Sequence, residues 1–173
     1  MKFKAKTLGK RTLQQRLRKR LSALATDQEA FVGVPKAAGA YSDGTSMAVV
    51  AAVQEFGSNP EGIKNPKTGA VVHIPERSFL RAGLRNARET NEKILKRFIP
   101  LVLNGKMNPR KLLNHLGSNT HGYVLKMFGS GDLKPNAEST IKAKGSSAPL
   151  IGKTDSLNKA VTYDVRPKMR GKS

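Results

Sequence analysis

Cysteine is absent from this sequence. Its absence excludes disulfides, zinc–thiolate sites and a cysteine nucleophile. Tryptophan is absent too, and aromatic residues make up only 5% of the chain, so the expected core is a modest one of Leu, Val, Ile, Ala and Phe. Acids are scarce, 12 against 32 Lys and Arg. The longest apolar runs, Met47 to Val53 and Ile99 to Leu103, are far too short to cross a bilayer, so no membrane partner is expected. Met1 to Lys10 carries charge with no apolar stretch behind it, unlike a secretory signal.

The residue types that carry catalysis are thinly spread. The histidines are His73, His115 and His121, and none belongs to an HExxH or another paired metal-ligand spacing. His115 and His121 fall on different faces of one predicted helix. Gly105-Lys106 and Gly152-Lys153-Thr154 lack the upstream glycine of a phosphate-binding loop. The acids Asp27 and Glu29, Glu89 and Glu92, and Asp155 and Asp164 show no spacing that places a pair in one pocket. No catalytic, cofactor-binding or metal-binding residue is therefore assigned, and a non-enzymatic protein is expected.

What the chain has in excess is positive charge. Its formal net charge is +20 over 173 residues, a length that suits one domain with a real core. Such a chain attracts polyanions. Nucleic acid is one such partner, because binding releases counterions condensed on phosphates. Acidic protein neighbours are the other, and charge alone does not choose between them.

Residues 1–24 hold nine cations and no acid. Within them Leu13, Leu17, Leu21 and Leu24 recur at helical spacing, which predicts an amphipathic helix from about Thr12 to Ala25 behind a mobile arm. Its plainest reading is a solvated basic face over a packed leucine stripe. The functional reading makes Arg16, Arg18, Lys19 and Arg20 contacts to DNA or to an acidic partner.

Ala30 to Val34 reads as a strand stopped by Pro35, followed by a loop over 36–44. Thr45 or Ser46 is placed to cap a helix that runs to Phe56 and stops at Gly57. Residues 58–69 read as an irregular loop, and Ala70 to Ile74 as a strand ended by Pro75. A long helix is predicted from Phe79 to Val102, with a polar lapse near Asn91 and a kink or split at Pro100. Asn108-Pro109 then restarts a helix whose apolar side includes Leu112, Leu116, Val124 and Phe128. Gly117 and Gly122 weaken that helix by about 1 kcal/mol each relative to Ala, unless close packing offsets the loss. After a loop over 129–137 come a helical turn at Glu138 to Lys144, a short helix capped by Thr154 or Asp155, and a strand from Ala160 to Arg166. The expected fold is α+β: a single domain with a small, mainly antiparallel sheet packed by long helices, extended loops and basic termini. Its parts are a basic arm and helix at 1–26, the α+β domain at 27–166, and a mobile basic tail at 167–173.

Three stretches, taken in order, resemble one known group. They are AVVAAVQEFG at 48–57, IPERSFLR at 74–81, and PLIGKTDSLNKAVTYDV at 149–165, the last preceded by TIKAKG at 140–145. This order is similar to the neck and tail-completion (virion morphogenesis) proteins of tailed bacteriophages. The resemblance runs from about residue 30 to 166. The chain departs from the pattern at Ser78, where the group often has proline, and at Gly152 to Asp155, where Asp-Thr-Gly is usual.

The resemblance marks Glu55, Phe56, Gly57, Ile74, Pro75, Arg77, Phe79, Leu80, Arg81, Pro149, Leu150, Thr154 and Leu157 as fold or assembly residues. Gly57 is expected in a left-handed conformation, Phe79 and Leu80 as core anchors, and Glu55 and Arg77 on elements that the family fold brings together. By the resemblance, the protein forms a homo-oligomeric ring, six- or twelve-fold, at the head–tail junction. Portal, connector or tail proteins are its neighbours, and sequence-independent contact with genomic DNA is a further expectation. Assembly in the host cytoplasm and residence in the virion neck follow. The alternative is a sequence-independent nucleic-acid-binding protein. A nuclease would need clustered acids or metal ligands.

Overall fold

The computed structural model describes residues 10–22, 24–64, 69–145, 147–151 and 155–168. Thr154, with Gly152 and Lys153, lies outside them, as do the basic residues Lys2, Lys4 and Lys6.

The architecture is α+β. Helix α1 spans Lys10–Ser22, strand β1 Gln28–Gly33 and helix α2 Met47–Phe56. Strands β2 (Ile63–Lys64) and β3 (Val71–Val72) precede two long helices, α3 (Phe79–Leu103) and α4 (Pro109–Met127). Short helices α5 (Glu138–Lys144) and α6 (Ser156–Ala160) lead to strand β4 (Thr162–Pro167). As expected, the sheet structure is small and antiparallel; among the described residues it forms two ribbons, β1 with β4 and β2 with β3. The first runs in register from Gln28 opposite Pro167 to Gly33 opposite Thr162, and it packs on α4. Pro167, expected in the basic tail, is thus part of a strand, and the Lys168 amide donates to the Asp27 carbonyl at 2.7 Å; the rest of the expected tail lies outside the described residues.

The α3–α4 hairpin is the frame. Its turn forms as the sequence requires: the Asn108 side chain accepts the Arg110 amide at 2.8 Å, and Pro109 opens α4 where no amide is needed. Pro100 does not split α3, which continues to Leu103. It lies in the last turn on the exposed side, where the loss of one helix hydrogen bond is most easily tolerated. The polar lapse at Asn91 is a cross-helix network. Asn91 Nδ2 donates to Thr120 Oγ1 at 2.9 Å, Asn119 Nδ2 donates to Asn91 Oδ1 at 2.9 Å, and the Thr90 and Tyr123 hydroxyls bond at 2.8 Å.

Two glycines set how closely elements approach. A methyl on Gly83 of α3 would lie 2.6 Å from Val124 Cγ2 and 2.7 Å from Val124 Cα on α4. A methyl on Gly117 would lie 2.8 Å from the Tyr163 ring of β4. The weakness expected at Gly117 is therefore offset by close packing, whereas a methyl on Gly122 would meet nothing beyond its own helix within 4 Å among the described residues.

The core sits at the α2 end of this frame. Ala51, Phe79, Val124, Met127, Phe128, Leu150, Leu157 and Val161 form one buried cluster. Phe79 is fully buried and meets Phe128 edge-on, with ring centres 5.2 Å apart. On helix α1 Leu21 is 60% exposed, and Leu24, beyond its end, is half-buried; the side chains of Leu13 and Leu17 lie outside what is described. The packed leucine stripe is therefore not formed at Leu21.

Candidate functional site

The first two marked stretches meet where α2 ends and α3 begins. Glu55 is 2% exposed, and its carboxylate closes the start of α3. It accepts the Leu80 amide at 2.7 Å and the Arg81 amide at 3.1 Å. These are among the first amides of α3, which lack partners within the helix. Ser78, at the N-cap position, makes no side-chain cap bond, so a carboxylate from another helix takes that role. Arg81 completes the junction. Its Nε donates to Glu55 Oε1 at 2.8 Å, and its Nη2 donates to the Glu55 carbonyl and to Glu76 Oε1, both at 2.9 Å. The Glu55 hydrogen bond, with the nearby Glu76 charge, raises the Arg81 pKa. The guanidinium also lies 5.0 Å from the centre of the Phe56 ring, which is 67% exposed.

The expected pairing of Glu55 with Arg77 is not made. Arg77 precedes α3 and turns the other way, into the loop after α4. Its Nε donates to the Lys134 carbonyl at 2.8 Å, its Nη2 to the Pro135 carbonyl at 3.1 Å, and its Nη1 to Gln54 Oε1 at 2.9 Å. Its amide donates to the Gln54 carbonyl at 2.7 Å. Arg77 is 6% exposed, and burial lowers its pKa. Arg81 has the position that Glu55 needs, because it sits one turn inside the helix that Glu55 caps.

Gly57 has φ of 79° and ψ of 176°, so φ is positive as expected but the residue is extended in ψ, not in the left-handed helical well. A side chain is opposed twice there, by the backbone conformation and by the Ile74 carbonyl 3.0 Å from where a Cβ would lie. The Ser58 amide donates to the Ile74 carbonyl at 2.9 Å, and Ser58 Oγ accepts the Ile74 amide at 3.1 Å, which fixes the approach to Pro75. Pro75 itself is exposed.

The third stretch arrives from below. Leu150 and Leu157, each 4% exposed, pack into the same cluster as Phe79 and Ala51, and Leu80 packs against it half-buried. Pro149 is half-buried beside them. Of the marked residues, all but Thr154, which is not described, thus lie on or next to one junction. Gln54, Asn136 and Gly83 belong to it and were not singled out. Asn136 Nδ2 donates to the Ala148 carbonyl at 3.0 Å and its amide to the Ser147 carbonyl at 3.2 Å, which ties the loop before α5 to the loop after it. Such partners are backbone carbonyls, which leave no trace in residue identity.

Chemically, the junction joins elements. The Glu55 carboxylate accepts three N–H donors, the arrangement of a helix cap. Among the described residues no group of three His, Asp or Glu is placed to hold a metal ion, and no helix is long and apolar enough to cross a membrane.

Arg16, Arg18, Lys19 and Arg20 are all exposed on α1. An apolar groove of about 830 Å3 lies between α3, α4 and β1, with Leu80, Leu84, Leu95, Leu113 and Leu116 on its walls and Leu24 at its end. Leu84 is 57% exposed. No protein-family profile matches the chain, and no curated protein or solved structure is significantly similar to it.

Proposed function

We propose that this protein is a structural virion component of a tailed-phage neck, a subunit of a homo-oligomeric ring around the DNA channel. The observation that carries the reading is the convergence of the three resembling stretches, 48–57, 74–81 and 149–165, on one buried junction around Glu55 and Phe79. Segments far apart in sequence that the resemblance marks thus share one junction, as a common fold would require. The exposed apolar groove and the exposed Leu21 give the subunit surfaces for copies of itself and for portal, connector or tail proteins. Closed rotational symmetry is the natural arrangement of identical subunits around a duplex.

Light scattering and negative-stain microscopy of the purified protein, with mass spectrometry of purified particles, test this. A discrete ring and a fixed copy number in particles are expected. A strictly monomeric chain that is absent from particles refutes it. The second reading, a sequence-independent nucleic-acid-binding protein, is favoured by the net charge of +20. It predicts DNA binding by a chain that enters no particle.

A further inference from the structure

The cations are not spread evenly over this molecule. From Lys93 to Gly131 the chain holds seven Lys and Arg and no acid. Five of them, Lys96, Arg97, Lys106, Arg110 and Lys111, gather where α3 turns into α4, and all five are exposed. The acids of α3 lie earlier: Glu89 and Glu92 are in ion pairs with Lys93 and Arg88. None of the five tip cations has an ion-pair partner among the described residues.

The turn itself adds to this field. The last carbonyls of α3 are capped by the turn: the Asn104, Gly105 and Lys106 amides donate to Pro100, Val102 and Leu101 at 3.1, 3.0 and 2.8 Å. The positive end of α4 opens in the same place, at Asn108-Pro109. Arg97 is held in place, with its guanidinium 5.4 Å from the centre of the Phe98 ring, which stacks on His115.

What surrounds the charge identifies the partner. Protein interfaces are built around buried aromatic or apolar anchors. Among the described residues the large hydrophobics left exposed are Leu21, Val49, Phe56, Ile63, Val71, Val72 and Leu84, and none lies at this tip, where Phe98, Ile99, Leu101, Leu103 and Met107 are half-buried. A cationic surface with no exposed large hydrophobic matches a phosphate backbone, which offers charge and no pocket-filling group. Helix α1 has the opposite character, since Leu21 stands exposed among its cations.

We infer that the α3–α4 tip, and not α1, is the surface that meets duplex DNA, through Lys96, Arg97, Lys106, Arg110 and Lys111 and without base specificity. Helix α1 is thereby left for protein neighbours. The inference rests on the proposed neck function only for the source of the duplex, and it is testable without particles.

The test uses the full chain and two charge-removed variants. One carries Gln at all five tip positions, the other Gln at Arg16, Arg18, Lys19 and Arg20. Binding to a short duplex of random sequence is followed by fluorescence anisotropy across a salt series, with polyglutamate as competitor. Each phosphate contact contributes about 0.9 to the slope of log affinity against log salt, so the tip variant should lose up to about 4.5 of that slope. The α1 variant should retain the wild-type slope, and polyglutamate should compete poorly. The proposal is overturned if the tip variant keeps the wild-type slope, if the α1 variant loses more than the tip variant, or if polyglutamate competes as well as duplex. Circular dichroism of both variants verifies folding, since every substituted residue is exposed. A chain that forms rings but fails this test would leave the neck reading standing; a chain that passes it yet enters no particle would do the reverse.

Discussion

Gly83→Ala sets two effects of opposite sign against each other. By helix propensity alone, Ala in the interior of α3 is favoured over Gly by about 1 kcal/mol. Packing opposes it. The new methyl would lie 2.6 Å from Val124 Cγ2, 2.7 Å from Val124 Cα and 2.9 Å from Val124 N. A side chain alone would turn aside, but two of these atoms are backbone of α4, so the helices themselves must part. Overpacking of this kind costs about 1–3 kcal/mol, and a clash with backbone belongs toward the upper end. The net expectation is a loss of about 1–2 kcal/mol, or a melting temperature lower by roughly 2–8 °C for a chain of this size. Gly122→Ala on α4 is the control, because nothing lies within 4 Å of its added methyl. It should gain up to about 1 kcal/mol. Thermal and urea unfolding of both variants measure the difference. If Gly83→Ala is as stabilising as Gly122→Ala, the close approach of α3 to α4 is wrong.

Further outcomes are expected from the junction. Glu55→Gln keeps the size of the side chain but weakens three N–H bonds to a charged acceptor, and should cost about 1.5–3 kcal/mol in urea unfolding; an unchanged midpoint would remove Glu55 as the cap of α3. Phe79→Ala empties a fully buried site against Phe128 and should cost about 3–5 kcal/mol, read from the melting temperature. Gly57→Val forces a β-branched side chain into positive φ beside the Ile74 carbonyl and should cost at least about 1–3 kcal/mol; unfolding at the wild-type midpoint would mean that the turn is not strained.

The helical frame was readable because its signals are local. The period of α3 and α4, the Asn108-Pro109 restart and the strand stop at Pro35 each lie within one turn of chain, and each is where the residues place it. The Asn91 lapse was visible as a break in pattern, but its cause, Thr120 and Asn119 on the facing helix, lies about 30 residues away in sequence. Strand β2 is invisible in the sequence because two residues leave no alternation to detect, and both are exposed. The opposite charges of Glu55 and Arg77 were legible, but the direction of each side chain was not. Arg81, four residues further on, was equally cationic, and only the rotation of α3 makes it the partner. The loop after α4 reads as free until Arg77 is seen bonded to its Lys134 and Pro135 carbonyls, and its Asn136 to the Ala148 carbonyl beyond α5.

The distribution of charge links the fold to its proposed work. Glu55 and Glu76 are bound to Arg81 at the α2 end of α3, and Glu89 and Glu92 lie midway. None is left for the tip, which α3, at 25 residues and ~37 Å, holds well away from the core junction. The five cations there repel one another across the turn, and the isolated fold bears that cost. Removing the charge should therefore stabilise the chain at low salt, even as it abolishes the proposed DNA contact. Thermal unfolding of the five-site tip variant at low and high salt measures this: its melting temperature should exceed that of the wild type at low salt, and the gap should close as salt screens the repulsion. A tip variant less stable than wild type at low salt would mean that these cations serve the fold, and their exposure without acidic partners would need another cause. The expected sign, stability given up for function, is what distinguishes a surface waiting for a polyanion from a merely solvated one.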